Sequence, residues 1–384
     1  MSLRTRAAFV AGLALLTAGL TLSAGAPADP GFDAAAAARY LDARMDVWWQ
    51  KAKPLKNPGG ETKCLSCHTA IPYALARPAL RRMTGAAAMT AHEAAILDTV
   101  RTRLSHLDDQ QPFYDHTEAK KVESRGVEAV VNAFLLTSHA ADSGTREPDA
   151  ATRAAIARLW QVQRADGAWD WLDFGLEPYE TADATFHGAT LAALAAGSPA
   201  GRAASADAAG RQGTGKLRTY LRGHLASQRL FNRAWALLAS SRLPDLLTPA
   251  ERDAVAQALA KAERPDGGWA LVDLGAWQWS GSDAPFHAPG TTDAVLLEAS
   301  DGYATGLVVY AMKQAGLGTH AAVGRGLAWL RAHQQAERPG DPAWAPWRAH
   351  SLNFDREHGG DKGEPWRRLF MSDMATAFAV LALE

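Results

Sequence analysis

The chain has 384 residues, 40 Lys+Arg against 41 Asp+Glu, 47% hydrophobic residues and only 2 Cys. The balanced charge excludes a polybasic nucleic-acid binder and a highly charged disordered chain. Two cysteines are too few for a disulfide scaffold or an all-cysteine zinc site. A chain of this length holds two or three ordinary domains, or one large repeat architecture with a sizeable core.

The first segment, 1–28, reads as a secretory signal. Arg4 and Arg6 precede an apolar run over 7–22, followed by the small residues Ser23-Ala24-Gly25-Ala26-Pro27-Ala28. A positive start, an apolar middle and a small-residue cleavage site fit a signal peptide, and the run is short for a membrane span. The expectation is a periplasmic or secreted mature chain with no transmembrane span.

The second segment, 29–105, carries both cysteines in Lys63-Cys64-Leu65-Ser66-Cys67-His68-Thr69. C-x-x-C-H is the attachment pattern of c-type haem. Two thiols three positions apart can each add to a haem vinyl group, and the adjoining histidine then ligates the iron. The expected cofactor is one covalent haem c per chain, with Cys64 and Cys67 as anchors and His68 as iron ligand. A redox dithiol and a local disulfide are the competing readings. Met83 and Met89 are the distal-ligand candidates, weighed against an iron with an open position. His92, His106 and His116 follow, and Trp48-Trp49 could pack on the ring or belong to the core.

The third segment, 106–384, is repetitive. Laying 159–187 on 259–287 superposes Leu159, Arg164, Asp166, Gly167, Trp169, Asp173, Gly175, Asp183, Ala184, Phe186 and His187 on identical residues. A third copy begins at Ala336-Glu337-Arg338-Pro339 and reaches Trp344 with one inserted residue. Each copy follows an Ala-rich segment with apolar residues at helical spacing, is stopped by Pro or Gly, and precedes a second helix that starts near an acid. The acids Asp183, Asp301 and Asp373 read as helix caps. From about Ala91 to Leu383 the periodicity gives roughly ten helices in five hairpins. No sustained two-residue alternation occurs, so the fold class is all-α. The stretch 197–215, rich in Ala, Ser and Gly, reads as a flexible loop. The segment 337–368, with Trp344, Trp347, Trp366, His350 and His358, reads equally as a strap closing the fold or a cover over a site.

Gln163-Arg164-Ala165-Asp166-Gly167-Ala168-Trp169 matches Q-x-x-x-G-x-W, and the repeat therefore resembles the QW motif of squalene–hopene cyclases and related terpene cyclases. The resemblance implies an α/α toroid of helical hairpins. With the C-x-x-C-H segment in front, the whole resembles bacterial proteins that join a c-type haem segment to a squalene-cyclase-like domain. It does not carry cyclase activity over: class II cyclases need a D-x-D-D acid, which this chain lacks. Prenyltransferase-like and thioester-like chemistry would each need a cysteine beyond the haem motif.

Asp183/His187 and Asp283/His287 are each four apart and share a helical face. They are the candidate catalytic pairs, as an oriented general base or a metal or ligand site. The plainer reading, a capping Asp with a packed His nearby, is favoured. The leading functional reading is an exported c-type haem protein in electron transfer or acting as an oxidoreductase, whose toroid binds a hydrophobic substrate or a redox partner protein. The alternatives are a non-catalytic binding or sensor scaffold and a toroid-fold glycan-active enzyme using Asp173, Asp183, Asp273 and Asp283.

Overall fold

The computed structural model describes residues 31–384 apart from 66, 108, 176, 276–298, 342–343 and 350–364. The described residues form thirteen α-helices and one two-stranded ribbon. In chain order the helices are α1 (Ala34–Lys51), α2 (Ala70–Thr84), α3 (Ala91–Leu104), α4 (Glu118–Asp142) and α5 (Ala150–Gln161). There follow α6 (Ala184–Gly197), α7 (Pro199–Ala204), α8 (Ala208–His224), α9 (Leu230–Ser240) and α10 (Pro249–Lys261). The last three are α11 (Gly302–Gln314), α12 (Ala321–Ala332) and α13 (Phe370–Leu383). The ribbon pairs β1 (Pro54–Leu55) antiparallel with β2 (Thr62–Lys63).

Six helices close a ring: α2 packs on α4, α4 on α6, α6 on α9, α9 on α11, α11 on α13, and α13 back on α2. The helices α1, α3, α5, α8, α10 and α12 lie outside them. The molecule is an α/α toroid of six hairpins, and the sequence explains which helix goes where. Each outer helix starts at a residue whose side chain accepts from its first turn: Asp33, Thr90, Asp149, Asp207, Thr248 and His320. These caps satisfy N–H groups that face solvent. Inner helices such as α6 and α13 are buried on nearly every side and mostly apolar, because protein surrounds them.

Two expectations change. The segment 29–105, read as a separate haem unit, supplies α1, α2 and α3, so its first hairpin is the sixth of the ring rather than an appendage. The stretch 197–215 is the end of α6, all of α7 and the start of α8. Its glycines serve close packing: a Cβ on Gly213 would lie 2.5 Å from the Trp160 ring. The residues 1–30, including the expected signal peptide, lie outside the described residues. No described helix is long and apolar enough to cross a membrane.

The repeated motif acts at the joints. Gly167 and Gly267 take positive φ, 97° and 86°, in matching turns where Arg164 N–H reaches Ala168 O and Arg264 N–H reaches Gly268 O. The indoles of Trp169 and Trp269 then donate to Leu159 O and Leu259 O at the ends of α5 and α10. In the third copy this role belongs to Trp347, which donates to Leu330 O of α12 at 2.8 Å, and not to Trp344. The Trp344 indole N–H has no partner among the described residues. Trp347 packs on Phe32 and Trp344 on Tyr40, so this part of 337–368 is a strap over α1. His350 and His358 lie outside the described residues.

Candidate functional site

The C-x-x-C-H turn links β2 to inner helix α2 at one end of the ring. Both thiols are free and half-buried. Burial pushes the Cys64 thiol up to about 12 and raises Cys67 as well, with Glu180 near enough to add to both shifts. A nucleophilic dithiol needs the opposite, a depressed pKa in an exposed, electropositive setting. The reactive-dithiol reading therefore loses ground.

The turn is held from three sides. Trp48 donates its indole N–H to Cys64 O at 3.0 Å. The His68 ring is buried, stacks on Phe370 at 4.9 Å and meets Tyr179 edge-on at 5.4 Å. Thr69 donates its hydroxyl to Asp373 at 2.7 Å. Asp373 is itself fully buried and accepts from Arg44 at 2.7 and 3.0 Å and from Tyr40 at 2.7 Å. Sequence reasoning read Asp373 as a helix cap. It lies instead inside the first turn of α13, and its carboxylate anchors the haem-motif turn. Only the contact across the ring exposes that role, since Thr69 and Asp373 lie 304 positions apart.

The turn carries the side chains a c-type haem would need, two free thiols and an adjoining histidine, but the described structure leaves little space beside them, because His68 is packed against Phe370 and Tyr179 and the cavity next to Cys67 is small. The distal candidates do not fit. Met83 is in the last turn of α2, a 15-residue helix, and so stands about 20 Å from the turn that carries His68. Met89 is exposed and lines a cavity at the opposite end of the ring. Among the later histidines, His92 pairs with Asp46 at 2.6 Å. Met374 and His187, by contrast, share with Cys67 and Tyr179 the wall of a small cavity on the ring axis, ≈ 20 Å³, room for about one water molecule. Nothing in the local sequence of Met374 marks it, because its approach to Cys67 comes from ring closure.

The Asp183/His187 pair separates. Asp183 starts α6 without a side-chain cap bond, stays exposed and pairs with Arg229 at 3.0 Å. His187 points to the axis, between Trp235 at 4.6 Å and Tyr179 at 5.3 Å. Its Nδ1 has no partner, and burial alone lowers its pKa to about 3. The two do not form an acid–base dyad. Asp283 and His287 lie outside the described residues. Asp301 is the true cap of the set: it accepts from Tyr303 and Ala304 N–H at 2.9 and 2.8 Å and from Leu271 N–H.

Of the other carboxylates, Asp173 accepts from Gly175 N–H and Asp273 pairs with Arg264 at 2.6 Å. Glu177, which sequence reasoning missed, is buried beside Arg229 at 2.5 Å. Burial raises its carboxyl against the pull of that guanidinium. Arg229 thus holds Glu177 and Asp183 together.

No family model and no curated protein matches the chain. Among solved structures, the chain is similar to an unsaturated glucuronyl hydrolase variant described with the saccharide dGlcA-Glc-Rha-Glc. The identity is 14%, the TM-score 0.49, and the match covers 91% of this chain and 96% of that one.

Proposed function

We propose that the protein is a c-type haem protein acting in electron transfer or as an oxidoreductase. The observation that carries this reading is the state of the C-x-x-C-H turn: its thiols are unpaired, and its histidine and threonine are clamped to α13 through Phe370 and Asp373. Cys64 and Cys67 would hold the porphyrin and His68 the iron, and the haem would supply one-electron chemistry. The protein's part is to fix the imidazole ring and to surround it with apolar and aromatic groups. Burial on this scale limits water access and so influences the potential of a bound iron.

The test is production with a c-haem maturation system, followed by haem staining on a denaturing gel and a pyridine haemochrome spectrum. Covalent haem in the wild type and none in Cys64→Ala/Cys67→Ala supports the reading. A folded wild-type protein without covalent haem ends it.

A glycan-active enzyme is the second reading. It draws on Glu177 and Asp183, two carboxylates sharing Arg229, the first with a raised pKa, on a loop that also carries Trp171 and Phe174. A pair of carboxylates is what glycoside hydrolysis requires. Turnover of an oligosaccharide panel that disappears in Glu177→Gln would favour it over the haem reading.

A further inference from the structure

The ring has a second opening, at the C-terminal ends of the inner helices. There a cavity of ≈ 600 Å³ is lined by residues from all six of them, within the size range of small-molecule sites. Its depth is apolar: Leu75, Phe134, Leu135, Leu194, Leu238 and Leu381 form the wall. Trp235 and Phe378 form the floor, and with Leu75 they also wall the small cavity beside Cys67. The small cavity beside Cys67 and this one are therefore back to back, separated by two aromatic rings 5.3 Å apart.

The rim decides what the cavity would accept. Its acids are each matched. Glu93 pairs with Arg81 at 2.5 Å, Asp142 with Arg81 at 3.1 Å and with Arg82, and Glu384 with Arg82 at 2.6 Å. His139 is held toward the neutral form, first by burial and then by Arg101. Lys313 is engaged with Ala382 O. Arg146 and Arg242 stand at the same rim outside all of these pairs. The carbonyl ends of the inner helices favour cations there, which draws guanidinium groups toward the mouth. Tyr310 and Gln314 add polar groups beside Arg242.

We propose that this cavity binds an amphiphile with a long apolar body and one anionic head, a carboxylate or a phosphate, the body lying on Trp235 and Phe378 and the head held by Arg242 and Arg146. Arginine is suited to such heads because its fork donates two parallel hydrogen bonds to one oxyanion. The proposal names a ligand class for the toroid and does not depend on the haem.

The test is titration of the full chain with a dansyl-labelled fatty acid, followed by displacement with dodecyl phosphate, dodecanoate and dodecanol. Saturable binding of the probe is expected, with both anions displacing it better than the alcohol. Arg146→Gln/Arg242→Gln should weaken the anions about tenfold or more and leave dodecanol within about twofold. Leu135→Trp fills the cavity and should abolish binding of all three with unchanged circular dichroism. Leu238→Phe is the milder filling variant should that one not fold. No saturable binding, or binding indifferent to filling, overturns the site. Equal displacement by dodecanol, unaffected by the arginine variants, overturns the anionic head. The order of dodecanoate and dodecyl phosphate assigns the head group. Binding should persist in Cys64→Ala/Cys67→Ala, so failure here and failure of the haem reading are read separately.

Discussion

Thr69 gives its hydroxyl to Asp373 across 2.7 Å, tying the residue after the haem-motif histidine to the last inner helix of the ring. The same carboxylate takes both Arg44 hydrogen bonds and the Tyr40 hydroxyl from α1. One buried anion therefore fastens α1, the start of α2 and α13, where the two ends of the toroid meet. Replacing Asp373 by Ala strands the buried Arg44 and should cost about 3–5 kcal/mol. Thr69→Val removes one hydrogen bond to a charged group and should cost about 1.5–3 kcal/mol. Urea denaturation of both variants and the double mutant checks this. The effects should be clearly non-additive, and simple additivity would sever the two residues.

His187 should make the protein acid-labile. Its folded pKa of about 3 lies below the ordinary 6.5, so the unfolded chain binds the proton first. The stability it contributes is present above pH 6.5 and is lost as pH falls toward 3, at up to about 1.4 kcal/mol per pH unit. His187→Gln should flatten the urea midpoint between pH 6.5 and 4 relative to wild type. An unchanged acid slope would mean the imidazole is not buried in the neutral form.

The two methionines proposed from sequence should prove irrelevant to iron. Met83→Leu and Met89→Leu should leave the absorption spectrum of haem-loaded protein unchanged, because α2 carries Met83 about 20 Å from His68 and Met89 lies exposed beyond the end of that helix. A shifted Soret band in either variant would require a different placement of the haem.

In haem-free protein, the thiols of Cys64 and Cys67 should react with iodoacetamide far more slowly when folded than in urea at pH 8.5. Burial pushes Cys64 up to about 12, leaving well under one part in a hundred as thiolate. Comparable rates folded and unfolded would contradict the burial.

Trp344 and Trp347 should differ sharply. Trp347→Phe breaks the indole bond to Leu330 O in a fully buried site and should destabilise by about 1–3 kcal/mol. Trp344→Phe removes an indole N–H that has no partner among the described residues and should cost less. Melting temperatures of the pair give the order directly, and the reverse order would return the repeat to Trp344.

Much of the fold was legible in the sequence because it is local and repeated. Helical periodicity, Pro and Gly stops and the spacing of Leu159, Gly167 and Trp169 fix hairpins and the joints between them. They gave the five hairpins from α3 onward and the all-α class. C-x-x-C-H was legible because its chemistry demands adjacent residues. Ring closure was not. The sixth hairpin, α1 with α2, has no QW turn, and only its packing on α13 shows that 29–105 completes the toroid. The third motif was misread because Leu330 and Trp347 are 17 positions apart, where the earlier copies use 10. Asp373, Met374 and His187 meet the C-x-x-C-H turn only through packing between helices far apart in the chain. Sequence by itself determined the helices, their repeat and the thiol–histidine motif, since each rests on neighbours in the chain. Tertiary structure decided which acid anchors that motif, which side chains face it and where the large cavity opens, because those are set by contacts between residues hundreds of positions apart.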